Sequence, residues 1–257
     1  MHCTKPEELK QQWNAEENAD FHGWDFSRMN ETWKESPLKW DYVKTVQDYL
    51  KPDNLLLDMG TGGGEVLLTI NHPYHLTYVT EVYPPNVELC REKLSPLGIH
   101  VSQVFGDYND DLPFDDEMFD IIINRHESFD MKEVYRILKP NGFFITQQVG
   151  GENNFLLHKA LMLENLKPFE YHTLESNVNI IESHGFDVLF KDECFPTVHI
   201  YDVNAIVYYG KTVPWEIPDF SAERYFTQLM DLHKQIKSNG FFENISHRFI
   251  ICARKNK

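Results

Sequence analysis

Residues Leu55 to Leu68 read LLLDMGTGGGEVLL. An apolar run ends in a carboxylate, Asp58. Four glycines follow within five residues, Gly60, Gly62, Gly63 and Gly64, and after Glu65 a second apolar run begins. Glycine loses more conformational freedom on folding than any other residue, so this density calls for a reason. A strand, a glycine turn and a helix start together supply one. Glycine admits positive φ and lets a ligand lie against bare backbone, while a helix start carries N–H groups without partners in the helix.

Three ligand classes use such a turn. A phosphate-cradling P-loop needs Gly-Lys-Ser/Thr at its end, and this turn ends in Gly64-Glu65-Val66. A dinucleotide turn needs Gly-x-Gly-x-x-Gly, and Glu65 stands at the third glycine position. Asp58 and Glu65 would also repel a pyrophosphate at close range. A ligand with a cationic centre and no phosphate suits both acids.

Outward from the turn, strand-like and helix-like segments alternate. NLLLDM, LTYVTEV and HVSQVF read as strands, FDIIINR as a central strand apolar on both faces, and FFITQQV as a fifth. Helices fall between them, in GGEVLLTI, in PPNVELCREKL with prolines suited to a first turn, and after Asp130. There Asp130 and Glu133 have capping-box spacing, and Pro140-Asn141-Gly142 ends the helix. This pattern predicts an α/β fold with a parallel sheet and helices on both faces. Residues 6–50 read as a helical, aromatic-rich arm. Beyond Gly151 come helices in NFLLHKALMLENL and in LESNVNIIESHG, closed by Gly185. The strand FDVLFKDEC follows, then an aromatic insertion, a helix bounded by Ser221 and Gly240, and a last strand ISHRFIICARK. The expected organisation is one domain over 1–257. It comprises an arm (1–50), a ligand-binding core (51–150) and a C-terminal half (151–257) with an inserted cap at about 195–240.

The formal charge of -16 repels phosphate backbones and argues against a nucleic-acid partner. Cys3, Cys90, Cys194 and Cys252 are scattered, without the spacing of a zinc site or a disulfide scaffold, and no metal is expected. The polar start has no signal-peptide core, and no run approaches the roughly 20 apolar residues of a membrane span. A reduced, soluble, cytoplasmic protein is the expectation, and the oligomeric state is not legible.

The pattern Asp58-x-Gly60-x-Gly62-x-Gly64 resembles motif I of the class I S-adenosylmethionine-dependent methyltransferases, and more narrowly those of methyltransferase type 11. Three further features follow in the family's order. Glu81 ends the second strand, GDYNDDLPFDDEMFDIIINRHE resembles the stretch leading into strand four, and EVYRILKPNGFFITQQ resembles the helix-to-strand turn that follows. The resemblance spans roughly residues 50–150, with Asn141 where glycine is common. It implies a Rossmann-like seven-stranded, mostly parallel sheet whose last strand runs antiparallel beside the fifth. It also implies S-adenosyl-L-methionine as cofactor. By position, Asp58, Gly60, Thr61, Gly62, Gly63 and Gly64 surround the methionine part. Glu81, with Val82 beside it, accepts two hydrogen bonds from the ribose, Asp107 with Tyr108 meets the adenine amine, and Asn124 and Arg125 line the pocket.

His126 and Glu127 follow strand four at the carboxyl edge, where ligands sit in open α/β sheets. His126 is the first candidate general base, with a pKa ordinarily near neutrality, and Glu127 is the second. Trp24, Gln147, His199 and Tyr201 are the candidates for facing a substrate. Methyl transfer from a sulfonium is an in-line displacement that positioning alone can accelerate strongly, so an elaborate catalytic constellation is not required. The expected activity is methyl transfer to a small-molecule acceptor. The alternatives are an NAD(P)-dependent oxidoreductase, or a regulator that binds S-adenosylmethionine without turnover.

Overall fold

The computed structural model describes residues 5–19, 26–105, 112–162 and 169–257. At its centre, β2 (Leu56–Met59) pairs in parallel with β3 (Thr77–Glu81) on one side and with β5 (Phe119–Arg125) on the other. Beyond β3 lies β4 (His100–Gln103), and beyond β5 lies β6 (Leu138–Val149), both parallel to their neighbours. Two strands complete the sheet, β10 (Arg248–Lys255) and β7 (Phe186–Cys194), in the order β4-β3-β2-β5-β6-β10-β7. β10 runs antiparallel to both β6 and β7. The seven-stranded sheet with a reversed last strand beside the fifth is thus the one expected. The chain moves outward from β2 through β3 to β4, then returns to β5 on the other flank of β2. That reversal opens a crevice at the carboxyl ends of β2 and β5.

The apolar runs of β2 and β5 alternate between two cores, which is why they show no polar face. Leu56, Ile121 and Ile123 pack with α2 (Tyr42–Tyr49), α3 (Glu65–Ile70) and α4 (Pro84–Lys93). Leu57, Met59 and Ile122 face the opposite way, toward α5 (Met131–Ile137) and α7 (Leu174–Ser183). A third core lies around a second sheet of β1 (Trp33–Glu35), β8 (Thr197–Ile200) and β9 (Phe242–Ile245), antiparallel in the order β1-β8-β9. Trp13 from α1 (Pro6–Glu17) packs there with α8 (Val203–Thr212) and α9 (Phe226–Asn239). The second sheet brings the N-terminal arm and the 195–245 region into one layer.

Several local expectations are corrected. The arm is helical only in part, because Trp33, Lys34 and Glu35 pair with Ile200, His199 and Val198 as a strand. The Asp130 carboxylate accepts from Lys132 N–H at 2.6 Å, but no capping box forms. Glu133 is drawn away by the Leu112 N–H and the Arg136 guanidinium. α9 starts at Phe226 rather than Ser221, since Ser221 Oγ caps a preceding turn at Arg224 N–H, while Gly240 closes the helix at φ 88° as expected. α6 (Phe155–Ala160) is one short element of the longer helix expected there. Among the described residues no helix is long and apolar enough to cross a membrane.

Candidate active site

The glycine turn runs from the end of β2 into α3 with Gly60, Gly62 and Gly64 at φ 68°, 63° and 79°. Each is held from a different side. Gly60 N–H donates to Thr80 O at 3.1 Å, and the Glu127 side chain fills the space that a Cβ on Gly60 would need. The carbonyl of Gly62 accepts from the Cys90 thiol at 3.0 Å, and that of Gly63 accepts from Lys93 Nζ at 2.9 Å. Burial pushes Cys90 up to about 12, so it remains a thiol and a donor. Gly62 differs from its neighbours, because a Cβ there would meet nothing within 4 Å. Its bare face borders a cleft of ≈ 2360 Å³. Single-ligand pockets run to about 1,000 Å³, so this one has room for two molecules side by side.

Carboxylates dominate the inner wall. Burial raises Asp58 to about 7, with Thr61 and Arg125 pulling it down and Glu81 adding to the rise. Glu81 is 3% exposed, and burial also raises its pKa. Its Oε1 accepts from the N–H groups of Val82 (3.0 Å) and Tyr83 (3.1 Å), and its Oε2 from that of Gly62 (2.9 Å). Glu127, raised by burial as well, accepts at Oε1 from both the N–H and the hydroxyl of Ser128. The Thr61 hydroxyl is buried beside Asp58 and acts on its carboxyl.

Past β5 the backbone turns at His126 with φ 64°, a left-handed position that is strained for a residue with a Cβ. His126 N–H donates to Gln147 O at 2.8 Å, and Gln147 Nε2 lies 3.1 Å from His126 Nε2. Trp40 Nε1 donates to Gln147 Oε1 at 2.8 Å. His126 is open to the cleft by surface area yet crowded by surrounding protein. Burial, then Arg125 and Arg248, push its pKa well below the ordinary value. Asn124 lies behind this wall, fully buried, and its Oδ1 accepts from Thr146 Oγ1 and Gln148 Nε2.

The outer wall was not legible in the sequence. Trp33 stacks on Tyr209 with centroids 5.0 Å apart. Glu216 is buried and accepts from Asn153 (2.8 Å) and Asn154 (2.7 Å), and Arg248 donates to Asn153 Oδ1 at 2.6 Å. His158 also faces the cleft, its Nε2 3.7 Å from Glu216. Nothing in local spacing marks these residues, since they come from the arm, from the chain after β6 and from the end of α8.

Asp58, Gly60, Thr61, Gly62 and Gly63 therefore share one cleft with Glu81, Val82, Arg125, His126, Glu127 and Gln147. Gly64 and Asn124 sit behind the lining. His199 and Tyr201 lie outside the cleft, where the His199 ring stacks on Phe241. Trp24, Asp107 and Tyr108 fall outside the described residues.

Residues 57–146 match a family model described as a methyltransferase domain. The chain carries a methyltransferase domain. Its fold is that of the class I S-adenosylmethionine-dependent methyltransferases, and S-adenosylmethionine is the cofactor of that family. Among solved structures, the YcgJ protein of Bacillus subtilis matches with TM-score 0.55 at 16% identity, covering 84% of this chain and 98% of its own. A Bacillus halodurans C-125 protein described as a candidate methyltransferase matches with TM-score 0.54 at 20% identity, covering 84% and 99%. The (4+2)-cyclase SpnF matches with TM-score 0.50 at 16% identity over 98% of this chain and 96% of its own. At these identities the likeness is one of fold. No curated protein matches the chain in sequence. The methyltransferase cleft has the chemistry its cofactor needs: an open glycine face, and carboxylates suited to a cationic ligand without phosphate.

Proposed function

We propose that this methyltransferase binds S-adenosylmethionine along the glycine turn and transfers its methyl group to a small acceptor seated against the outer wall. The observation that carries the reading is the bare face of Gly62, set between the carboxylates of Asp58 and Glu81. Asp58 meets the cofactor's ammonium, and Gly60, Thr61, Gly62 and Gly63 flank its methionine part, with Gly64 shaping the turn. Glu81, with Val82 beside it, meets the ribose. A carboxylate offers about four lone-pair directions, and three of Glu81's are engaged by backbone N–H groups. One ribose hydroxyl therefore fits without rearrangement, and the second would displace a backbone bond. Asp107 and Tyr108 are assigned to the adenine on sequence alone, and Asn124 braces the wall from behind.

The bound cofactor supplies an electrophilic methyl on a sulfonium. The chain's own contribution is to align the acceptor, worth roughly 7–11 kcal/mol when the fit is close, and to keep water away. The stacked Trp33 and Tyr209 and the braced Glu216 favour a partly apolar acceptor with a polar end. Where the acceptor must lose a proton, Glu127 is favoured over His126, because Gln147 occupies His126 Nε2. A reducing, cytoplasmic setting belongs to the same proposal, supported by the free buried Cys90, Cys194 and Cys252. Isothermal titration with S-adenosylhomocysteine and with NADH, repeated on Glu81→Ala, tests the reading. It expects micromolar-range binding of the homocysteine compound alone, weakened in the variant. Binding of NADH alone, or of neither, overturns it.

A further inference from the structure

Trp40, Gln147 and His126 form a chain of hydrogen bonds whose polarity follows from the donors themselves. An indole N–H can only donate, so Gln147 must present its oxygen to Trp40, as it does at 2.8 Å. The amide NH2 of Gln147 is thereby turned toward His126 Nε2, 3.1 Å away. An NH2 also only donates, so Nε2 must carry a lone pair, and in a neutral imidazole the one proton then sits on Nδ1. Placing a proton on Nε2 as well would set two donors face to face. Nδ1 has no partner among the described residues, and the ring borders the cleft.

Beside it, Arg125 lines the same cleft, and its guanidinium makes no hydrogen bond or ion pair among the described residues. Every other arginine of the chain has a side-chain partner. Burial lowers its pKa, aided by Arg248, while Tyr42, Asp58 and Glu35 pull it back up. A guanidinium and an imidazole N–H side by side offer donors only, so the group they suit is an anionic acceptor. The carboxylates Asp58, Glu81 and Glu127 of the same cleft would repel a doubly charged phosphate more strongly than a single negative charge.

We infer that Arg125 and His126 Nδ1–H form a carboxylate-binding pair on the cleft wall, held in donor form by Trp40 acting through Gln147. The carboxylate is either that of the cofactor's amino-acid end or one carried by the acceptor. The first case rests on the function proposed above. Trp40 and Gln147 are positioning residues in this arrangement, and His126 serves as a donor rather than as the base.

Two measurements test it. Long-range 1H–15N spectra of histidine-labelled protein at neutral pH, assigned with His126→Asn, are expected to show His126 protonated at Nδ1 and bare at Nε2. In Trp40→Phe, Gln147 is free to turn its oxygen, and the proton should move toward Nε2. Gln147→Glu, which offers only acceptors, should move it there with Trp40 intact. A wild-type ring protonated at Nε2, or one unchanged in both variants, overturns the lock. The second measurement compares wild type and Arg125→Met by titration with S-adenosylhomocysteine, with 5′-methylthioadenosine, which lacks the amino-acid end, and with the monocarboxylate propionate added to S-adenosylhomocysteine-saturated protein. A loss of about 10- to 100-fold for S-adenosylhomocysteine, with 5′-methylthioadenosine unchanged, places the cofactor's carboxylate on the pair. Unchanged S-adenosylhomocysteine binding, with propionate saturating wild type and not the variant, places an acceptor carboxylate there. The absence of both effects overturns the pair. Failure of S-adenosylhomocysteine to bind wild-type protein overturns the cofactor reading instead, and the propionate titration, run on the free protein, then decides the pair by itself.

Discussion

Gly62 donates its N–H to Oε2 of Glu81 at 2.9 Å, which ties the glycine turn after β2 to the acid that ends β3. One side chain thus shapes the turn and faces the ligand that the turn would hold. Glu81→Ala leaves the N–H groups of Gly62, Val82 and Tyr83 without this acceptor. With cleft water replacing part of it, the loss of stability should be roughly 2–4 kcal/mol, read by urea unfolding. Glu81→Gln keeps one acceptor oxygen and should fall between. Unfolding curves that superimpose for all three proteins would show that the turn stands without Glu81.

Asp58 provides a pH signature. Its pKa rises from an ordinary 3.8 to about 7 because burial disfavours the charge. The folded protein therefore binds this proton more tightly than the unfolded chain does. The stability it contributes is full below about pH 4 and is lost as pH rises through 7, by roughly 1–4 kcal/mol. Asp58→Asn should flatten that decline. Binding of a ligand ammonium favours the carboxylate, so S-adenosylhomocysteine should release a proton near pH 6.5 and bind more tightly as pH rises toward 8. Titration in buffers of different ionisation enthalpy reads the proton directly. An equal release from Asp58→Asn would assign it to another group.

What the sequence made legible was local. The apolar run, the acid and the glycines lie within fourteen residues, and their strand-turn-helix reading needed no distant partner. FDIIINR showed a doubly covered strand because both of its faces are packed. The rest depends on distant pairing. β1 is three residues long, and its partner in β8 lies more than 160 residues on. Glu133 has capping spacing, but Arg136 and Leu112 compete for its carboxylate. His126 reads as a candidate base from position alone, and its contact with Gln147, itself bonded to Trp40 107 residues earlier in the chain, has no signal in local sequence. Glu216 has no motif around it, and its role appears only once Asn153 and Asn154 fold over it.

The glycines of the turn should separate binding from folding. Alanine at either Gly62 or Gly64 incurs about 1–2 kcal/mol for the left-handed backbone. At Gly64 the new Cβ would also lie 2.8–2.9 Å from the terminal carbons of Leu94, adding about 1–3 kcal/mol of overpacking. At Gly62 it would meet only the cleft. Gly64→Ala is therefore the less stable protein, and Gly62→Ala the one that folds but has lost more of its affinity for S-adenosylhomocysteine. Paired melting and titration experiments check both halves, and equal effects of the two variants on both readouts would remove the distinction.

Glu216 should behave as a brace of the outer wall rather than as part of the cofactor site. Burial alone would raise its carboxyl, but His158, Asn154 and Asn153 outweigh burial and hold it below the ordinary value. A depressed carboxyl contributes stability above its unfolded pKa, about 4.5, and that stability disappears as pH falls through the folded value. Glu216→Ala removes the buried acceptor of one N–H each from Asn153 and Asn154, which should lower stability at pH 7 by roughly 2–4 kcal/mol. The variant should also lose less stability than wild type between pH 5 and 3. Glu216 shares no hydrogen bond with the glycine turn, so S-adenosylhomocysteine should bind the variant as it binds wild type at temperatures where both are folded. If that affinity fell in step with stability, the two walls of the cleft would be one cooperative unit, and the acceptor side could not be altered without disturbing the cofactor side.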